Sequence, residues 1–526
     1  MFDGPGFDFR QLFILDLANN HQGSVEHGRA VIRSAAEVVE KHDVRAAVKF
    51  QFRQLDSFIH PHHREQSDLK YIQRFQSTRL EREQFQALLD EVRAKRLLAA
   101  CTPFDEESVE LITDMGFDLI KVASCSANDW PLLEVIADAG KPVVCSTGGL
   151  TIHEIDRVAS FFQHRAVDFA LMHCVSIYPT PDERLNLRQI GVLRERFPET
   201  PIGWSTHESP GDTVPVGIAL ALGAELFERH VGLESPDVQL NAYSSGPEEL
   251  SAWLTAHARA RVLLGPAERP ASPPEEKQAL AGLQRGVYAR GPIRAGAPID
   301  RSQVYFAMPW AEGQLASGTW REGIVAREAV EPDAALRHEA LDVPGESDLQ
   351  ILKEAVHEAK ALLNQARIAI GDEFKVEFSH HYGVPRFRET GAIIIDCINR
   401  EYCKKLVLQL PGQRHPSHYH ERKEETFQVL YGSMHCRVGD AVRDLVPGES
   451  VLVLPGVWHS FSTETGVIFE EISTTHYNQD SFYEDKRINH MERSERKTVV
   501  DHWGRFQIAN PPAGVGEPTR SGSTGS

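Results

Sequence analysis

The stretch LLAACTPFDEESVELITDMGFDLIKVASCSANDWPLLEVIADAGKPVVCST (97–147) carries three short apolar runs: LLAACT (97–102), LIKVAS (119–124) and PVVCST (142–147). Each has the length of a β-strand. Between the first two, DEESVELITDMG (105–116) places apolar residues at helical spacing behind a cluster of acids, as a helix start does. Strand-length runs alternating with helical patterns are the signature of βα units. Upstream the same alternation includes FILDLA (13–18) and AAVKFQ (46–51), separated by the helical VEHGRAVIRSAAEVVEKH (25–42). Downstream come FALMHC (169–174), PIGWST (201–206) and LFERHV (226–231). Eight such runs within roughly 250 residues predict an α/β fold, a (β/α)8 barrel over residues 1–265. A doubly wound open sheet is the competing layout, but it would show a Gly-rich nucleotide turn after the first strand, and none is present.

Beyond the barrel, GPAERPASPPEEK (265–277) reads as part of an exposed linker spanning 266–282. Short strands broken by Gly and Pro predict a small β-rich module over 283–345. An amphipathic helix is expected at 347–368, opening a third domain over 346–505. From about 370 to 480 the alternation in KKLVLQL, TFQVLYG and SVLVLPG is all β. The tail, 506–526, has almost no large apolar residues and is expected to be disordered.

Composition narrows the function. The chain has 526 residues, 41% hydrophobic and 25% charged, with a formal net charge of −19. That balance argues against nucleic-acid binding or attachment to an anionic membrane, both of which need a cationic footprint. No apolar run is long enough for a transmembrane helix, and MFDGPGFDFRQLF (1–13) has no basic segment followed by an apolar core, so a signal peptide is not expected there. Seven cysteines without CxxC spacing read as reduced thiols, which points to a cytoplasmic enzyme.

In a (β/α)8 barrel the chemistry sits at the carboxyl ends of the strands. Those ends carry Asp16, Asn19, Asn20 and His21; Lys49 and Gln51; Thr102 and Asp105; Lys121 and Ser124; Ser146 and Thr147. The last three carry His173, Ser176 and Tyr178; Ser205 and His207; and Glu228 and His230. Lys49, Lys121, Ser124, Ser146 and the Thr147-Gly148-Gly149 backbone would form a cationic, hydroxyl-rich nest for a phosphate. His207 and His230, on adjacent strands, are spaced to share a divalent metal that polarises a carbonyl. Taken singly, each has a plainer explanation as an ion pair or a satisfied core histidine.

The ordered set NNHQG (19–23), AVKFQ (47–51), CTPFDEESVELI (101–112), KVAS (121–124), PLLEVIADAGKPVVCSTGG (131–149), HCVSIYPTP (173–181), GWSTHE (203–208) and FERHVGL (227–233) resembles the sialic acid (N-acetylneuraminate) synthase family. The module at 283–345 resembles the antifreeze-like domain of that family, which implies a homodimer. The resemblance implies a reaction in which carbon 3 of phosphoenolpyruvate attacks the aldehyde of an open-chain amino sugar, water adds at carbon 2, and phosphate leaves. It assigns Lys49, Lys121, Ser124, Ser146 and Ser205 to phosphoenolpyruvate, with Asn20, Gln51, Thr147 and Ser176 as further substrate-binding positions. Asp16, Lys121, Tyr178 and Glu228 become the catalytic candidates, and His207 and His230 the ligands of Mn²⁺ or Mg²⁺.

Several positions depart from that family's pattern. Asp16 is shorter than the family's acid, and Ser124-Cys125-Ser126 lacks its carboxylate. Ser176 stands for Asn, Asn241 for Asp, and Met308, before Pro309, for Arg. The sugar-facing positions have changed while those for phosphoenolpyruvate and metal persist, which implies a different acceptor, a non-acylated aldose being one option.

A second constellation is independent of the first. Gly412, five residues, His418, one, His420, four, Glu425, six, Gly432 has the spacing of the first cupin motif. Gly448, Leu454-Pro455-Gly456 and His459 follow the second, with Leu454 and Thr463 as departures. Side-chain alternation puts His418 and His420 on one strand face. With Glu425 and His459 they would hold Mn²⁺, Fe²⁺, Ni²⁺ or Zn²⁺ with positions open for a ligand. Such a site suits sugar isomerisation or epimerisation, with Glu424, Tyr431 or His415 as base, or sugar binding alone. Two readings of the whole chain stand: a synthase fused to a metal cupin, or a degenerate synthase barrel kept as a sugar-binding scaffold or sensor.

Overall fold

A computed structural model describes residues 6–64, 68–371, 373–477, 479–503 and 507–508. The chain forms two compact units, Met1–Ala271 and Ser272–Ser526. In the first, eight parallel strands close into a barrel in chain order: β1 (Leu12–Asp16), β2 (Arg45–Phe52), β3 (Leu98–Pro103), β4 (Leu119–Val122), β5 (Val143–Ser146), β6 (Phe169–Cys174), β7 (Ile202–Thr206) and β8 (Leu226–His230). Every run expected from the sequence is present, displaced by no more than two residues.

Strand parity decides what lies inside. Leu12, Ile14, Ala47, Ala100, Leu119, Val144, Ala170, Met172 and Leu226 form one buried apolar cluster. The residues between them, such as Phe13, Val48, Ile120 and Phe227, pack with the helices in a larger core. Because side chains alternate, the next residues on the inner face are Asp16, Lys49, Thr102, Lys121, Ser146, Cys174 and Glu228. The barrel interior is thus apolar at its floor and polar above it. Ser24 caps the helix Val25–His42 by accepting from His27 N, and Asp105 caps Glu106–Asp114 by accepting from Ser108 N.

In the second unit, the stretch read from sequence as linker holds a helix, Pro274–Ala281, with Pro at its first turn, Glu275 and Glu276 behind it, and no buried residue. Two antiparallel strand pairs follow, Gly286–Ala289 with Val304–Ala307 and Val325–Ala326 with Leu341–Asp342. They close on a small core that includes Val287, Ile299, Val304, Leu315 and Ile324. The helix Asp348–Gln365 is capped by Ser347 and buries Ile351, Leu352, Ala355, Val356, Ala359, Leu362 and Leu363, one face at helical spacing. That face packs on Val376, Phe378, Ile393, Ile395, Leu406 and Leu408 of the following sheet.

The rest is a sandwich of an eight-stranded and a five-stranded antiparallel sheet. Phe427, Val429, Met434, Phe461 and Phe469 form the core between them. At the end of Glu425–Gly432 the chain turns at Gly432, with φ +76, where a Cβ would stand 2.0 Å from the Gly466 carbonyl oxygen. Two short helices, Lys486–Asn489 and Arg493–Arg496, interrupt the β pattern before Lys497–His502 rejoins the large sheet. Gln507–Ile508 pairs with that strand, and the remainder of the tail expected to be disordered lies outside the described residues. Among the described residues no helix is long and apolar enough to cross a membrane, and all seven cysteines are free thiols.

Candidate active site and metal centre

Sheet register sets Asp16 level with Lys49 on one side and with His230 on the other. Lys49 Nζ lies 2.9 Å from Asp16 Oδ2 and 2.5 Å from Glu228 Oε1. Lys121 Nζ donates to Ser146 Oγ at 2.5 Å and stands 3.4 Å from Glu228 Oε2. All five side chains are almost wholly buried. Burial opposes the charge on Lys49, but Asp16 and Glu228 more than offset it and hold the ammonium above its ordinary pKa. Burial likewise works against the Glu228 carboxylate, and Lys121 and Lys49 overcome it, holding the group well below the usual carboxylate range. The nest expected to be cationic is therefore balanced: two lysines against Asp16 and Glu228 leave 2 − 2 = 0.

Above it, Gly148 N donates to Ser124 Oγ at 3.1 Å. A Cβ on Gly148 would fall 2.6 Å from Ser124 Oγ and 2.8 Å from Ser176 Oγ, so any larger residue would displace both hydroxyls. Ser205 is buried on β7, in register with Cys174 and Glu228. Gln51 Nε2 donates to Asp16 Oδ2 at 3.3 Å. Two expected positions are occupied differently. Thr147 Oγ1 donates to the Met172 carbonyl at 2.9 Å, and Asn20 donates to the Val231 carbonyl and Ser244 Oγ, tying together the loops after β1 and β8. His173, included among the rim residues, points out of the barrel and is bonded to the Leu185 carbonyl, because inward parity on β6 falls on Cys174.

His207 and His230 stand side by side, ring centroids 5.3 Å apart, with Tyr178 4.2 Å from His207. His207 Nδ1 donates to the Val175 carbonyl at 2.9 Å, which leaves Nε2 for a ligand role. Burial pushes His230 down to about 4, so the ring is neutral near pH 7. Its buried Nδ1 makes no hydrogen bond among the described residues and faces Asp16 Oδ2 at 3.5 Å. A pair of buried imidazoles beside a carboxylate fits a divalent cation.

In the cupin, antiparallel register sets His418 opposite both His459 and Tyr483. His418, His420 and His459 are buried and offer ligand nitrogens within 4.8 Å of one another. Their Nδ1 atoms are tied to the carbonyls of Pro416, Asp480 and Val457 at 3.1, 2.5 and 3.1 Å, so each ring is held with its Nε2 free. Glu425 Oε2 and His459 Nε2 face one another at 3.1 Å, yet both are buried without a hydrogen bond. Orphaned acceptors converging in this way fit a metal ion.

Several neighbours were not legible in the motif. Lys423 is buried between Glu425, 2.5 Å away, and Glu471. Asp480 accepts from the backbone of Glu421, Arg422 and Lys423. Of the candidate bases, Glu424 is exposed and Tyr431 packs against the core under helix Asp348–Gln365, whereas His415 lies 4.7 Å from His418.

The sequence profile of the NeuB family matches residues 31–269, and that of the Cupin domain residues 405–470. A crystal structure of a Chromobacterium violaceum protein, assigned as spore coat polysaccharide biosynthesis protein E, is 45% identical with a TM-score of 0.62, covering 64% of this chain and 100% of that one. An uncharacterized protein of Methanocaldococcus jannaschii is 30% identical over 295 residues, 55% of this chain and 82% of its own. The N-acetylneuraminate-9-phosphate synthase of Drosophila melanogaster is 33% identical over 252 residues, 46% of this chain and 66% of its own. With its polar barrel mouth and the cupin that follows, the chain belongs to the NeuB family.

Proposed function

We propose that the barrel is a nonulosonic acid synthase, a phosphoenolpyruvate-dependent transferase that condenses this substrate with an open-chain amino sugar or related aldose. The carrying observation is the convergence of Lys49 and Lys121 on Glu228, beside His207 and His230. Lys49, Lys121, Ser124, Ser146 and Ser205 would hold phosphoenolpyruvate, its anionic groups taking over the lysines' carboxylate contacts. Carbon 3 forms the new bond to the aldehyde carbon, water supplies the oxygen at carbon 2, and the carbon–oxygen bond to phosphate breaks. Asp16 and Glu228 would take the proton released by the attacking water, the aldehyde oxygen gains a proton as the new bond forms, and Tyr178 would meet the acceptor. A Mn²⁺ or Mg²⁺ ion on His207 and His230 would supply the Lewis acid that polarises the aldehyde. Incubation with phosphoenolpyruvate, Mn²⁺ and a panel of hexosamines, 6-deoxy sugars and plain aldoses should release phosphate with at least one. No release across the panel, with no phosphoenolpyruvate binding by calorimetry, overturns the proposal in favour of a scaffold.

For the cupin we propose a divalent transition metal, Mn²⁺, Fe²⁺, Ni²⁺ or Zn²⁺, on His418, His420, His459 and Glu425, acting to isomerise or epimerise a sugar. Of the candidate bases Glu424, Tyr431 and His415, His415 stands nearest the ligands, its ring centroid 4.7 Å from that of His418. Full-length protein should lose one metal equivalent in the His418→Ala, His420→Ala double variant and should exchange solvent deuterium into a candidate sugar. Metal without exchange leaves sugar binding; no metal in the unmodified protein overturns the site. A cytoplasmic homodimer completes the proposal, and sedimentation equilibrium at twice the chain mass is the check.

A further inference from the structure

We propose that Arg53 forms an anion-binding subsite at the mouth of the barrel, and that the acceptor is an aldose carrying a phosphate or carboxylate group. This rests on the synthase proposal and names its acceptor class. Lys49, Gln51 and Arg53 are alternate residues, so they stand in a row on one face of β2 and its continuation. The row is linked: Gln51 Nε2 donates to Asp16, which also pairs with Lys49, and Arg53 Nη2 donates to Gln51 Oε1 at 3.0 Å. At about 3.3 Å per residue, Arg53 follows Lys49 by roughly 13 Å of extended chain, beyond a three-carbon phosphate ester seated on the lysines.

The Arg53 guanidinium is clamped between Phe75 and Phe104, 4.0 and 3.6 Å from their ring centroids. That clamp fixes its plane. Its Nε is buried without a hydrogen bond, and the hydrogen bond to Gln51 is the side chain's one hydrogen bond among the described residues. The nearby carboxylates are already engaged. Asp105 accepts from Ser108 N and Gln54 N, each at 2.8 Å, and Asp16 accepts from Ala18 N, Gln51 and Lys49. The strand-four loop Ser124–Ser126 brings hydroxyls and a thiol but no carboxylate.

Deeper in the barrel Lys49 and Lys121 face Asp16 and Glu228, whereas Arg53 forms no ion pair among the described residues, although Asp16 and Asp105 lie near enough to favour its charge. Burial draws it down to about 10, still charged at neutral pH. A largely buried charge without a direct ion-pair partner is costly, and a flat guanidinium held by both faces is the shape that takes a phosphate or carboxylate through parallel hydrogen bonds. Neutral sugars would leave that cost uncompensated.

The test is steady-state kinetics of the full-length, Mn²⁺-supplied protein with neutral aldoses, their 6-phosphates and the corresponding uronic acids; the last two arms distinguish phosphate from carboxylate. One anionic series should exceed its neutral counterparts by about 100-fold in kcat/KM, and Arg53→Gln should erase that preference mainly through KM. Arg53→Lys should restore part of it, while calorimetric affinity for phosphoenolpyruvate stays within about threefold in both variants. Binding of phosphoenolpyruvate with equal use of neutral and anionic aldoses, or with a preference that survives Arg53→Gln, overturns this inference alone. Absence of phosphoenolpyruvate binding overturns the synthase proposal and this one with it. Should Arg53→Gln fail to fold, the preference of the unmodified protein and its change in Arg53→Lys decide.

Discussion

Lys121 has three demands on its ammonium, the Val122 carbonyl, the Ser146 hydroxyl and the Glu228 carboxylate. Lys121→Ala removes these contacts and the charge meant for a phosphate, so calorimetry should show phosphoenolpyruvate affinity falling by about 100-fold or more, with condensation abolished. An unchanged affinity would remove Lys121 from the site. Gly148→Ala is a gentler probe. Its Cβ would push aside Ser124 Oγ and Ser176 Oγ, and the apparent KM for phosphoenolpyruvate should rise about tenfold with little change in melting temperature. Residues of this kind were legible because a polar side chain at a strand end is conspicuous against an apolar run. Arg53 lies two residues beyond its run, AAVKFQ, and its clamp comes from Phe75 and Phe104, distant in sequence. His173 was misread for a related reason: proximity to a strand end was weighed there without parity, and parity gives the inner place to Cys174.

Among elements, alternation does most of the work. The parity that sends Leu12 and Ile14 into the barrel sends Asp16 there too, and the same holds for Ala47 and Lys49. Local periodicity therefore marked the eight strands and the helix Asp348–Gln365, whose signals lie within a few turns or residues. It was silent on pairings between distant strands. Tyr483 reaches His418, and Asp480 reaches the loop 421–423, across some sixty residues, through sheet register that no short window contains. The linker helix Pro274–Ala281 was hidden by its flanking prolines, although Pro at a first turn favours a helix start. Asp480 offers a test at this scale. Its carboxylate holds three backbone amides of that loop while its carbonyl orients His420. Asp480→Ala should weaken cupin metal affinity by about tenfold in a chelator competition, leaving phosphoenolpyruvate binding unchanged.

For the whole molecule, buried neutral histidines set the acid limit. Burial lowers His21, His230 and His257 to about 4 and His415 to about 3, against 6.5 for a free side chain. Between pH 6.5 and about 4 the unfolded chain therefore binds more protons than the folded one, and stability falls as pH falls. Melts of metal-free protein should show Tm dropping from pH 7 to 5, and a flat profile would contradict the burial of these rings. At the same scale the net charge of −19 leaves a small anionic substrate no broad attractive field, so its capture must rest on local groups such as Lys49, Lys121 and Arg53. Condensation is the central claim, and it is tested most directly by mass spectrometry of the acceptor after incubation with phosphoenolpyruvate, Mn²⁺ and the full-length protein. The expected result is an acid heavier than the aldose by one pyruvate unit, formed in equal amount to the phosphate released. Phosphate accompanied by free pyruvate and an unaltered aldose, or neither phosphate nor product with any acceptor, would contradict it.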